Sequence, residues 1–176
     1  MLQYITQGRI KCDTPTGQVF IIQANVLKSL KQFIQLESDS PESGGILIGR
    51  TDIETKAKII ESFTSPMEGD CQTRMSFFRS KSHQYALIQA WNESKKFYNF
   101  QGLWHTHPED VPTPSPTDLR DIDTVLNGIT NLNDPVLYLI IGRVKTGIWI
   151  GRKNFKIKLL GLSLIHISEP TRPERI

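Results

Sequence analysis

The chain has 176 residues, of which 38% are hydrophobic and 22% charged, with a formal net charge of +3. That length suits one domain with a substantial core, and the balance is that of a soluble globular protein, which excludes fibrous and disordered classes. The lysines are scattered instead of forming a dense stripe, and no apolar run approaches a membrane span, so neither a nucleic acid nor a bilayer is expected as partner.

Residues 1–9 lack the charged-then-apolar layout of a signal peptide, and Cys12 and Cys71 stand too far apart for a Cys-x-x-Cys pair. Reduced thiols and a cytoplasmic location are therefore expected. Thr14-Pro15-Thr16-Gly17 marks a turn, and Gln18–Ile22 is the first convincing strand. Asn25 is placed to cap a helix with Val26, Leu27, Leu30, Phe33, Ile34 and Leu36 at core spacing, ended by Ser38–Pro41. Glu42 then precedes Gly44–Arg50, an apolar run of the kind buried on both faces, whose opening glycines permit close approach of another element or a ligand. A polar turn over 52–56 leads to a hairpin partner over 57–63.

Residues 64–74 read as a polar loop, a candidate substrate-contacting segment, and 75–79 as a short strand leading out of it. A helix capped by Ser82 is expected to run to about Phe97, with Tyr85, Leu87, Ile88 and Trp91 inward. Phe100–Trp104 is a largely apolar strand, and a helix begins at Ser115-Pro116-Thr117-Asp118 with Leu119, Ile122, Val125 and Leu126 as its buried face. Strands follow over 135–141, 147–151 and 155–159. One domain of mixed α and β structure results, a curved mixed sheet flanked by helices.

The chemistry concentrates between Gly102 and Asp118. Side chains alternate across a strand, so His105 and His107 point to one face while Trp104 and Thr106 point to the other. Past a loop stiffened by Pro108, Pro112, Pro114 and Pro116, Ser115 and Asp118 read as a helix cap, and a capped helix is also a rigid mount for a ligand. Two imidazoles and a carboxylate with an open fourth position form the ligand set of a catalytic zinc; structural zinc sites are closed by four protein ligands.

His105-x-His107-Pro108 followed by Pro114-Ser115-x-x-Asp118 resembles the JAMM motif of the Jab/MPN-domain metalloproteases. That family also has an upstream glutamate shortly before an apolar strand ending in glycine, and Glu42-Ser43-Gly44-Gly45-Ile46-Leu47-Ile48-Gly49 matches it. The wording is most similar to a bacterial branch found beside ubiquitin-activating-like and ubiquitin-conjugating-like enzymes in anti-phage (CBASS-type) and mobile-element operons. The likeness covers roughly residues 18–153. It implies a Jab/MPN-like α/β fold and Zn2+ held by His105, His107 and Asp118. It also implies Glu42 as proton carrier, Ser115 as donor to the oxyanion, and an isopeptidase acting after the C-terminus of a ubiquitin-like modifier or a similarly conjugated protein.

Three rival classes fit the sequence less well. A zinc nucleobase deaminase needs His-x-Glu with Pro-Cys-x-x-Cys, which is absent. A non-catalytic MPN scaffold is expected to lack metal ligands, whereas every motif position here is filled. A DNA-repair relative of the fold is disfavoured by the weak basic character. Finally, residues 162–176 look like a sequencing adapter read in frame, so 1–161 is taken as the domain and His166 is left out of any metal argument.

Overall fold

The computed structural model describes residues 1–129 and 134–164. The eleven strands are β1 (Leu2–Ile5), β2 (Arg9–Asp13), β3 (Val19–Ile22), β4 (Gly44–Thr51), β5 (Lys58–Phe63), β6 (Cys71–Thr73), β7 (Ser76–Phe78), β8 (Asn99–Thr106), β9 (Val136–Ile141), β10 (Lys145–Arg152) and β11 (Phe155–Leu164). The helices are α1 (Ala24–Leu30), α2 (Ser82–Glu93) and α3 (Pro116–Gly128). Nine strands form one mixed sheet in the order β1-β2-β3-β5-β4-β8-β9-β10-β11, and β6 and β7 form a separate hairpin. The sheet curls towards a barrel: the Tyr4 hydroxyl on one edge strand meets the Ser163 hydroxyl on the other at 3.1 Å. This is the expected mixed fold with a curved sheet flanked by helices.

The apolar runs became the central strands because burial on both faces demands unbroken hydrophobic sequence. Val136–Ile141 is buried throughout, and Gly44–Gly49 likewise. One core gathers Phe20, Ile22, Leu47, Ile60, Trp104, Leu137 and Leu139 with α1; the other places Ile46, Leu103, Ile122, Leu126, Tyr138 and Trp149 under α2 and α3. Trp104 packs against Phe33 and Phe63 at ring distances of 5.2 and 5.5 Å, and its indole N–H donates to the Thr64 carbonyl at 3.0 Å. It anchors the strand that carries the histidines.

Several local expectations are corrected. Asn25 lies inside α1, whose N-cap is Gln23 with no side-chain cap bond, and the helix gives way to a 3-10 turn at Lys31–Phe33 instead of reaching Leu36. The segment after it turns because Gln35 takes buried partners elsewhere. Ser82 is the first residue of α2, not its cap, and the helix stops at Glu93, closed by the Lys96 N–H donating to the Trp91 carbonyl with Lys95 and Lys96 at positive φ. Tyr85 and Ile88 face solvent and Trp91 is half exposed. The inward face of α2 is His83, Leu87 and Ala90, because buried His83 bonds Thr64 Oγ1 at 2.6 Å and the Asp70 carboxylate at 2.9 Å. A polar anchor overrode the apolar periodicity. Leu119 is exposed on α3, while Ile122 and Leu126 are buried with Val125 packed beside them.

The polar loop over 64–74 contains β6, the two N-terminal strands β1 and β2 add to the sheet edge, and β11 continues past Gly161 to Leu164 in register with Lys145. Residues 165–176, including His166, lie outside the described residues. Cys12 is buried and Cys71 exposed, both as free thiols. Among the described residues no helix is long and apolar enough to cross a membrane.

Candidate metal centre

β8 lies between β4, antiparallel, and β9, parallel, with Gly44 opposite His105 and His105 opposite Ile140. That register brings the residues before Gly44 alongside the end of β8. Two backbone bonds extend it, Thr106 N–H to the Ser43 carbonyl at 2.8 Å and His107 N–H to the Ile141 carbonyl at 3.0 Å. The opening glycines of β4 accommodate protein, as a β-carbon on Gly45 would lie 2.1 Å from the Thr64 carbonyl and one on Gly44 2.5 Å from the Phe77 ring.

His105 and His107 share a face, their Nε2 atoms 2.9 Å apart. Asp118 reaches both: Oδ1 lies 3.3 Å from His105 Nε2 and Oδ2 lies 3.0 Å from His107 Nε2. Glu42 Oε1 is 3.8 Å from His107 Nε2. Glu42, His105 and His107 are all buried, and their ligand atoms lie within 4.8 Å of one another, a cluster able to hold a metal ion. Asp118 comes close to the two histidine members of that cluster, so the carboxylates flank the imidazole pair.

Both readings of Ser115-x-x-Asp118 hold together in one geometry. Ser115 caps α3, its hydroxyl oxygen accepting the Asp118 N–H at 3.1 Å, and the Asp118 Oδ2 accepts the Ser115 N–H at 2.7 Å. The capping box sets the carboxylate on the helix's first turn, facing the histidines. With its oxygen engaged as acceptor, the Ser115 hydroxyl keeps its proton for donation.

Crowding of titratable groups shifts all four. Burial raises the Glu42 carboxyl to about 7, the His107 charge opposing and those of Asp118 and Glu109 adding. Burial also dominates at His105 and lowers it, against the hydrogen bond to Asp118. At His107 burial acts in the same downward sense but is outweighed by Asp118, Glu42 and Glu109, so that the imidazole is raised. At Asp118 burial works upward, and hydrogen bonds from His105, His107 and the Ser115 N–H hold the carboxyl far below the usual carboxylate range. A site with two carboxylates about two imidazoles favours a cation.

The sequence-singled residues Glu42, His105, His107, Ser115 and Asp118 therefore converge. Two supporting groups escaped that reading. Glu109 Oε2 lies 3.4 Å from His107 Nδ1 and is held by the Thr113 N–H at 3.1 Å. Arg79 forks onto Asp121 with both bonds at 2.7 Å, tying the exit of the β6–β7 hairpin to α3. The signal for Glu109 was its place two residues after His107; nothing in sequence pointed to the Arg79–Asp121 pair.

Comparison with known proteins gives the family and the fold. The profile described as prokaryotic homologs of the JAB domain matches residues 30–155. The chain is 34% identical over 134 residues to a CD-NTase/cGAS isopeptidase of Escherichia coli, covering 76% of this chain and 81% of that protein. Proteins of the same description from Vibrio cholerae and Pseudomonas aeruginosa are 32% and 31% identical, covering 76% and 68% of this chain and 81% and 74% of theirs. In fold it resembles a Desulfitobacterium hafniense protein solved in solution, with a TM-score of 0.56 and 17% identity over 78% of this chain and 87% of that one.

Proposed function

The chain belongs to the family of prokaryotic homologs of the JAB domain, and from that premise we propose that it is a zinc-dependent isopeptidase. Its substrate is a protein joined through its C-terminus to an amine in the manner of ubiquitin. Its relatives are CD-NTase/cGAS isopeptidases, and by that likeness the protein is a nucleotidyltransferase of the CD-NTase/cGAS kind or a ubiquitin-like modifier. Activating-like and conjugating-like enzymes that make such a bond are its functional partners, and the setting is cytoplasmic anti-phage defence.

His105, His107 and Asp118 hold the zinc. The two Nε2 atoms stand 2.9 Å apart, with Asp118 Oδ2 3.0 Å from that of His107 and Oδ1 3.3 Å from that of His105, distances near the edge of about 3.3 Å that tetrahedral bonds of roughly 2.0–2.1 Å require. Imidazole with carboxylate is a donor set that zinc accepts. Zinc bound there supplies Lewis acidity and makes its water acidic enough to deprotonate near neutral pH.

Glu42 takes the proton of the attacking water and returns it to the departing lysine amine, so the residue ends the cycle as it began. Its carboxyl, lifted to about 7 by burial, is drawn down again by a cation beside it, which keeps it an acceptor. The Ser115 hydroxyl donates to the oxyanion that develops on the scissile carbonyl. The observation that carries this reading is that buried Glu42 stands 3.8 Å from His107 Nε2, farther than the Asp118 carboxylate, whose oxygens lie 3.0 and 3.3 Å from the two imidazoles.

The test is Glu42→Gln. It is expected to fold, keep stoichiometric zinc and lose about two decades or more of turnover on an isopeptide-linked substrate, the range for a missing general base. Near-normal turnover, or loss of zinc, would refute the role. His105→Ala is expected to lose metal and activity together.

A further inference from the structure

We infer that Gln35 is a positioning residue that sets Glu42 against the two histidines, an inference that takes the role of Glu42 from the reading above. Gln35 follows the 3-10 turn after α1 and is 1% exposed. Its amide is fully used: Thr106 Oγ1 donates to Oε1 at 3.0 Å, and Nε2 donates to the carbonyls of Ser40 at 2.9 Å and Arg74 at 3.0 Å. The reversed amide would aim oxygen at two carbonyls, so this orientation is the one the network permits.

The three partners lie on three segments. Thr106 stands between the histidines on β8, Ser40 on the approach to Glu42, and Arg74 at the turn of the β6–β7 hairpin. The same segments grip Glu42 and its neighbour. Ser43 N–H donates to Thr106 Oγ1 at 2.9 Å, Glu42 N–H to the Thr73 carbonyl at 2.7 Å, and Gln72 Nε2 to the Glu42 carbonyl at 2.8 Å. Glu42 is strung between β8 and the hairpin, and Gln35 is the side chain that bonds to both. Without it the buried Thr106 hydroxyl loses its acceptor and the hairpin turn loses one of its tethers, leaving those of Arg74 to Glu37 and Ser38 and of Gln72 to Glu42, so the segments relax by shifting. A misplacement of about 1 Å at a reacting group costs up to roughly a hundredfold in rate. The metal trio, held by β8 and the α3 cap, does not depend on this network.

The experiment uses zinc-loaded full-length chain and three variants: Gln35→Met, which keeps reach and loses the amide; Thr106→Val, which loses the hydroxyl; and Thr106→Ser, which restores it. Amide exchange at Glu42 and Ser43, zinc affinity by chelator competition, and kcat and KM on an isopeptide-linked substrate are read for each. Gln35→Met and Thr106→Val are expected to speed exchange at Glu42 and Ser43 about tenfold or more. They should lower kcat about ten- to a hundredfold at nearly constant KM. Zinc affinity should hold, and Thr106→Ser should behave like the parent. Unchanged exchange at both amides overturns the positioning role whatever the activity; faster exchange with unchanged kcat overturns its consequence for turnover; weakened zinc binding overturns the assignment by making Gln35 a support of the ligands. If Gln35→Met does not fold, the Thr106 pair carries the same readings. A parent chain without turnover sinks the isopeptidase reading alone, because the exchange measurement still decides whether Gln35 holds Glu42.

Discussion

Ser115 and Asp118 hold each other by two reciprocal bonds, 2.7 Å and 3.1 Å, at the start of α3, and the carboxylate so fixed is the one that faces both histidines. A single side chain thus closes a capping box and lies within 3.3 Å of both imidazoles.

The two duties of Asp118 are separable. Asp118→Asn keeps an oxygen able to accept the Ser115 N–H, so its unfolding midpoint should stay near the parent's while zinc affinity falls sharply. Asp118→Ala loses the cap bond as well and should cost a further 0.5–2 kcal/mol or so of stability, the usual range for a lost cap. Denaturant titration of the metal-free proteins, beside chelator competition, checks both; equal stability of the two variants would show that the cap bond contributes nothing.

Glu109 orients His107 through Nδ1, which leaves Nε2 free to bind. Glu109→Ala should weaken zinc binding by about 10–100-fold, the typical effect of removing a carboxylate behind a ligating histidine. Glu109→Gln, which can still accept from Nδ1, should lose less. Competition with a chromophoric chelator measures the difference, and identical affinities for all three proteins would remove Glu109 from the site.

Asp70 carries a pH dependence away from the metal. Burial raises its carboxyl, but the N–H groups of Met67 and Ser80 and the His83 imidazole outweigh it, bringing it down to about 2. The folded value lies below the unfolded one of about 3.9. Asp70 therefore adds stability above pH 4 that is lost as pH falls through about 2. The stability gap between the parent and Asp70→Asn should be widest above pH 5 and close towards pH 2, as read from urea midpoints across that range; a constant gap would mean that the carboxylate's charge is not what counts.

The C-terminal boundary is tested by truncation. Residues 162–176 are proposed to be foreign, and 162–164 of these nonetheless pair with β10, so a chain ended after Leu164 is expected to melt with the parent. Ending after Gly161 removes Ser163, buried against Tyr4, and the Leu164 N–H that donates to the Tyr4 hydroxyl at 3.1 Å, and should lower the melting temperature by a few degrees. Loss of folding on removing 165–176 would make that segment genuine structure.

Much of the site could be read from sequence because its geometry follows local rules. Alternation on a strand puts His105 and His107 together, and a capping box sets Asp118 on the first turn. Long-range register does not announce itself: that Gly44 stands opposite His105 is what brings Glu42 near, and only the family likeness linked the two segments beforehand. The central strands were legible as unbroken apolar runs. The face of α2 was not, because its anchor is a histidine bonded to an aspartate 13 residues earlier, and hydrophobic periodicity is blind to a buried polar group. Nothing in the pattern marks Gln35 for the same reason, as its three partners come from segments up to 71 residues away.

The trio proposed to hold zinc spans 14 consecutive residues, from His105 to Asp118, whereas Glu42 is brought beside it through the pairing of β4 with β8. Holding the ion and using it are thus stabilised by different parts of the chain. As denaturant or heat loosens the protein, local release of the segment ahead of β4 that carries Glu42, short of unfolding the sheet, would leave a species that on the proposed reading still carries zinc and lacks its proton carrier. Metal content would then overstate the fraction of working enzyme in an ageing preparation, and titration of competent molecules would have to rest on turnover.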